Sequence, residues 1–163
     1  MSEDELIELD NLSSSITPGG IIVEVGSLFG RSSYCLARAN SSATVYCFDN
    51  FANDEPDIDT FTEFCRYTRE CNNIYASTVN SAAEIIWDPA LLVDMVFLDE
   101  SHCNPIFQQY IDFWLPKIRS GGFLCGHDFN PNFPDVIENV SLLEQLLGKP
   151  VTIQDSLWIF TVN

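Results

Sequence analysis

"IIVEVGSLFGRSSYCLARA" (21–39) begins as an apolar run, meets a glycine at 26, reaches a second at 30 and goes on with helical periodicity. A strand that passes through glycines into a helix is the opening βα unit of a parallel sheet, and ligands of such sheets bind at the carboxyl ends of the strands. Gly26 leaves the main chain bare at that tip, and Gly30 opens a helix whose first N–H groups can face a ligand. Ser27, Arg31 and Ser32 add donors around the turn. Gly-x-x-x-Gly alone also fits an ordinary tight strand-to-helix turn.

Working outward, strand-like runs recur at 43–49, 73–77, 93–99 and 122–128, separated by segments of helical periodicity at 31–39, about 59–71, about 81–87 and 104–115. Alternation of this kind predicts parallel strands joined by right-handed crossovers, hence an α/β, Rossmann-like doubly wound sheet. A further helix is predicted at about 134–147. The last two runs, 151–154 and 157–162, are separated only by "DS", a link that joins antiparallel neighbours alone. The expected sheet therefore has about seven strands, mostly parallel, with a C-terminal antiparallel hairpin. The acidic stretch "NDEPDID" (53–59) reads as a surface loop before a helix.

The chain has 163 residues, 46% of them apolar, which suits one domain over 1–163 with one sizeable core. Seven Lys and Arg against 24 Asp and Glu give a formal charge of −17, which disfavours nucleic acid as a directly gripped partner and anionic membranes as a surface. No run is long and apolar enough to span a bilayer, and "MSEDELIELD" is acidic where a signal peptide is basic, so a soluble cytoplasmic protein is expected. The six cysteines form no C-x-x-C pair and several lie in apolar runs, as reduced thiols do.

Two acidic residues stand out. Asp49 ends the second strand 23 positions after Gly26, where a carboxylate meets ribose hydroxyls in nucleoside-binding sheets, and its two oxygens can accept from both. Glu24 lies inside the first strand, where an unpaired charge is costly. It requires a partner, either the amino-acid end of a charged cofactor, direct or through water, or a salt bridge within the fold.

Both histidines fall just past neighbouring strand ends, in Asp99-Glu100-Ser101-His102 and in His127-Asp128. Two functional roles compete with a structural one. His102 or His127 can serve as general base toward a substrate hydroxyl. Alternatively, Asp99, His127 and Asp128 can bind a hard divalent cation such as Mg²⁺, which acidifies and orients that hydroxyl. In the structural reading Asp128 caps a turn and His127 satisfies a loop carbonyl.

The segments "VEVGSLFGRSS", "FDN", "VDMVFLDESH", "WLPKIRSGGFLCGHDF" and "DSLWIFTV" together resemble the class I S-adenosylmethionine-dependent methyltransferases, and more narrowly their small-molecule O-methyltransferase-like subgroup. The resemblance runs from about residue 20 to the end of the sequence. It implies that Glu24, Gly26, Ser27 and Gly30 frame the methionine part of S-adenosylmethionine, that Asp49 holds the ribose, and that Asn50 and Phe51 flank the adenine. Asn80 or Ser81 would border the adenine from the other side, and Asp99 joins the same rim. Metal-assisted members coordinate their cation at the matching strand ends. The pattern departs from the family in lacking a glycine between Gly26 and Gly30 and in carrying "DES" where relatives often have Asp-Gly-Asp. The implied activity is methylation of a hydroxyl on a small molecule, a sugar or a secondary metabolite.

Two rivals belong to other classes. One is a protein that binds the cofactor or a related nucleoside without catalysis, since little chain precedes the first strand to form a lid; a second copy in a homodimer is one way to supply it. The other is an NAD-dependent oxidoreductase, which shares the glycines and Asp49 but not the placement of Glu24 or the closing hairpin.

Overall fold

The structure, a computed structural model, describes residues 1–53 and 57–163. Seven strands, β1 (Ile21–Val25), β2 (Thr44–Asp49), β3 (Ile74–Thr78), β4 (Val93–Leu98), β5 (Ile118–Gly126), β6 (Thr152–Gln154) and β7 (Leu157–Thr161), form one sheet in the order β3-β2-β1-β4-β5-β7-β6. The first five are parallel. β7 runs against β5 and β6 against β7, so the strand that opposes the parallel set is β7, inserted between β5 and the edge. β1 and β4 are neighbours, and chain order reverses there, which opens a crevice outside their carboxyl ends.

The helices are α1 (Glu3–Ser15), α2 (Arg31–Ala39), α3 (Thr60–Thr68), α4 (Ile106–Trp114) and α5 (Pro134–Leu147). Period-two alternation along β1 divides them into layers. Ile22 shares a core with Leu9, Leu12, Leu36 and Phe64, from α1, α2 and α3. Val23 and Val25 share the other core with Tyr110, Trp114, Val136 and Val140, from α4 and α5. Glu24, in phase with Ile22, therefore turns toward the α1–α2 side.

Two elements differ from the sequence expectation. α1 lacks a clean apolar stripe, yet its start carries a capping box in which the Ser2 hydroxyl accepts from the Glu5 N–H and the Glu5 carboxylate accepts from the Ser2 N–H. The helix predicted at 81–87 is only the turn Ala82–Glu84, followed by chain without helical hydrogen bonding up to β4. Pro89 sits close behind, and the residue before a proline is pushed out of helical geometry. The sheet face beside β2 is covered there by Trp87, packed edge-on against Tyr46 and Trp114, each at 5.1 Å between centroids. Of the acidic loop at 53–59, residues 54–56 lie outside the described residues, and Asp59 accepts from the Thr62 N–H as the N-cap of α3. All six cysteines are free. Among the described residues no helix is long and apolar enough to cross a membrane.

Candidate active site

Gly26 has φ +90, and a Cβ built on it would strike the Asp99 carbonyl and stand 2.5 Å from the Glu100 nitrogen. What approaches the bare backbone is thus the chain itself, at the end of β4. Gly30, at φ +84, is held for a second reason, since a Cβ there would meet the rings and methyls of Phe64 and Thr68 on α3. Both glycines let elements close on one another, and in doing so they shape the crevice.

Two cavities flank Leu28, which sits at φ +45 with its side chain half exposed. One, of about 340 Å³, is lined by Gly26, Ser27, Phe29, Arg31, Ser32 and Asp99 together with Met1 and Leu28. The other, of about 300 Å³, is lined by Gly26, Leu28, Asp49, Asn50, Ala52, Asp99 and Glu100. Gly26, Leu28 and Asp99 are common to both. A larger depression, of about 480 Å³, lies between Ala37–Arg38 and Glu70–Asn73 at the amino ends of the strands, away from this cluster.

The expected cofactor residues are distributed unevenly over this crevice. Asp49 is at its wall, but Oδ2 accepts from the Ser27 and Leu28 N–H groups at 2.6 and 2.8 Å, and Oδ1 accepts from the Phe51 N–H. Three of roughly four acceptor positions on the carboxylate are thereby engaged. Glu24 is fully buried beneath the loop, where Oε2 accepts from the Ser27 hydroxyl at 2.5 Å and from the Ser33 hydroxyl, and Oε1 has no partner. Burial raises its pKa against the opposing effect of the serine hydroxyls. Among the described residues its partners are hydroxyls rather than a cation of the fold, and one of them, Ser27, lines the first cavity.

Phe51 turns away from the cavities into an aromatic group with Phe61 and Phe64, at 4.9 and 5.3 Å. Asn80 donates twice to Glu84, and neither it nor Ser81 lines either cavity. Arg31 lines the first cavity and donates to the Met1 carbonyl at 3.0 Å.

Past β4 and β5 the two histidines and two carboxylates converge. His127 Nδ1 lies 3.2 Å from Asp128 Oδ1 and 3.6 Å from Asp99 Oδ1. His102 Nε2 lies 2.6 Å from Asp128 Oδ2 and 3.9 Å from Asp99 Oδ1, and its ring packs on Phe133 at 4.5 Å. The 2.6 Å approach is off the N–H direction, for His102 Nε2 has no hydrogen-bond partner. The Asp99 carboxylate raises the His102 pKa most, burial opposes it, and the Asp128 charge adds to the rise. Burial raises that of Asp99, against the pull of both imidazoles. Glu100 is raised by burial and then by the Asp49 charge, and its Oε2 has no partner.

Asp99, His102 and Asp128 offer three ligand atoms that all lie within 4.8 Å of one another, which suits a cation. His127 faces the same two carboxylates, but its Nε2 is taken by a residue that the sequence reading missed, Glu5 of α1, at 3.1 Å, with the Ser156 hydroxyl at 3.0 Å. The signal available for Glu5 was the capping pattern Ser-x-x-Glu; nothing local pointed to Ser156.

The sequence matches the model of a methyltransferase domain over residues 23–129. No curated protein matches it. Among solved structures it resembles a Staphylococcus aureus protein assigned as a caffeoyl-CoA O-methyltransferase, at 16% identity and TM-score 0.70, covering 98% of this chain and 80% of that one. An rRNA methylase from Streptococcus thermophilus gives 14% identity and TM-score 0.70 over 100% and 99% of the two chains. The N-methyltransferase NodS from Bradyrhizobium japonicum, in complex with S-adenosyl-L-homocysteine, gives 16% and 0.67 over 97% and 85%. With that domain spanning more than half of its length on a sheet of this order, the chain belongs to the methyltransferase-domain family and has the Rossmann-like architecture of the class I S-adenosylmethionine-dependent methyltransferases.

Proposed function

We propose that the chain transfers a methyl group from S-adenosylmethionine to a hydroxyl of a small molecule. The observation that carries this reading is the convergence of His102 and Asp128 on Asp99, which lines both halves of a crevice that meet at Gly26. When bound, S-adenosylmethionine supplies a methyl on a sulfonium, an already activated leaving group. The polar Ser27, Ser32 and Arg31 suit its amino-acid end, and Asp49 retains one acceptor position for a ribose hydroxyl. The carboxylates of Asp49, Asp99 and Glu100 along the second cavity suit a cationic ligand.

The chemical step asks for alignment. His102 would take the hydroxyl proton as the hydroxyl oxygen bonds to the methyl carbon and the carbon–sulfur bond gives its electron pair to sulfur. Its pKa, raised first by Asp99, makes this imidazole a stronger proton acceptor than an ordinary one. Asp99, Asp128 and an imidazole are also the residues that would hold a divalent cation, which would there lower the pKa of the hydroxyl. RNA as acceptor, the substrate class of one structural neighbour, is disfavoured by the charge of −17.

Calorimetric titration with S-adenosylhomocysteine, with NAD in parallel, tests the donor half of the reading. Absence of binding to the former, or preference for the latter, overturns it. Transfer of labelled methyl to a panel of hydroxyl compounds, with and without Mg²⁺, tests the acceptor half; binding without transfer to any compound favours a non-catalytic binder.

A further inference from the structure

We propose that the outer edge of β3 is a self-association surface, on which a second copy of this chain adds its own β3 antiparallel and joins the two sheets into one. β3 ends the strand order, and no described strand pairs with its outer side. The Asn73 carbonyl and the Val79 N–H bond to β2, so period-two alternation turns the main-chain groups of Ile74, Ala76 and Thr78 away from it. An open edge is a template for another strand, and proteins blunt theirs with charge, proline, bulges or short length. β3 carries no charge and no proline over its five residues, and its register with β2 runs without a shift. At the opposite edge β6 has only three residues, with Lys149 and Asp155 close on either side.

The neighbouring face is open as well. A crossover between parallel strands ordinarily lays a helix on the sheet, but between β3 and β4 the chain makes only the turn Ala82–Glu84. Trp87 fills part of that place, and Tyr75, Ile86, Leu91 and Leu92 are left exposed, Tyr75 at 58% and Ile86 at 97%. Tyr75 stacks on Tyr46 at 5.7 Å, and the Trp87 indole that packs on Tyr46 donates to the Leu91 carbonyl, which makes the patch continuous with the edge. Charge selects the occupant. Residues 71–83 hold no charged side chain in a chain of −17. A basic partner would be drawn to the acidic surface elsewhere, whereas two copies escape mutual repulsion best across a neutral seam. The edge is also its own complement. About a two-fold axis at Ala76, Ala76 opposes Ala76, Ile74 opposes Thr78, and each outward N–H meets a carbonyl of the second copy. Tyr75 then lies opposite Ser77, with the two Tyr75 rings as diagonal neighbours.

The test needs no methyl donor and does not depend on the methyl-transfer reading. Sedimentation velocity over a concentration series, in about 0.2 M NaCl to screen the net charge, should show a monomer passing into a dimer. Ala76→Pro removes one outward N–H per copy at an edge position, where proline is tolerated. It should weaken the association about tenfold or more while circular dichroism and Tm hold. In hydrogen exchange followed by NMR, the Ile74, Ala76 and Thr78 amides of the wild type should gain protection as the dimer forms. A monomer at every concentration up to the solubility limit overturns the proposal. So does a folded Ala76→Pro variant that dimerises as the wild type does, or free exchange of the three amides in a dimer, which would place the contact elsewhere. Should Ala76→Pro fail to fold, exchange of the wild-type amides decides.

Discussion

Gly26 shows how one residue carries both the fold and the site. Its φ of +90 is a conformation that L side chains rarely adopt, and the space a Cβ would occupy belongs to the backbone of Asp99 and Glu100. Backbone strain of about 1–3 kcal/mol would combine with displacement of the β4 end. Gly26→Ala is therefore expected to cost at least about 2 kcal/mol in urea denaturation and to weaken S-adenosylhomocysteine binding in calorimetry. Glu24 makes the opposite case. Its folded pKa is raised, chiefly by burial, so its contribution to stability is fullest at low pH and is lost as pH climbs through the folded value. Glu24→Gln is expected to be at least as stable as the wild type at pH 8, with its relative standing falling toward pH 5. A lower urea midpoint at pH 8 would mean that the charged carboxylate and its serines are a net gain. Position along the strand made Glu24 conspicuous in the sequence, but its partner Ser33 became visible only once α2 was laid over β1.

Among the elements, α1 is tied at its start by Glu5, which accepts from Ser2 and Ser156 and faces His127. Burial pushes the Glu5 pKa up, but hydrogen bonds from Ser156, Ser2 and His127 outweigh it and hold the carboxyl at about 2, from an ordinary 4.5. A depressed carboxyl adds stability that is present above its unfolded pKa and is lost as pH falls through the folded one. The interval corresponds to about 3 kcal/mol. Wild type should exceed Glu5→Gln by a margin of this order near neutrality, with the gap closing between about pH 5 and pH 2 in acid denaturation. A gap independent of pH would assign the loss to packing. The element expected at 81–87 failed for a local reason, a proline two residues after the span, which apolar periodicity outweighed in the reading. The hairpin at the end was legible because a two-residue link leaves only antiparallel geometry.

At the scale of the whole molecule, 24 acidic residues against seven basic ones leave the folded state under self-repulsion. Raising NaCl from low concentration to about 0.2 M shortens the Debye length to below about 10 Å and screens it. Stability should rise by about 1 kcal/mol, or about 2–4 °C in Tm for a chain of this size. A flat or falling Tm would show that the charges are compensated locally.

The doubly wound class, the closing hairpin and a crevice at the strand ends followed from the chain alone, because alternation of β and α with short links admits few topologies; the strand order seen in the structure brings Gly26, Asp49, Asp99 and His127 to neighbouring strand ends. Tertiary structure decided what each of them touches. Asp49 holds the loop amides, Phe51 joins α3, and His127 meets a helix that begins at residue 3. Periodicity is a property of neighbours along the chain, whereas the partners of a buried carboxylate are set by whichever distant donor the packing brings within about 3 Å.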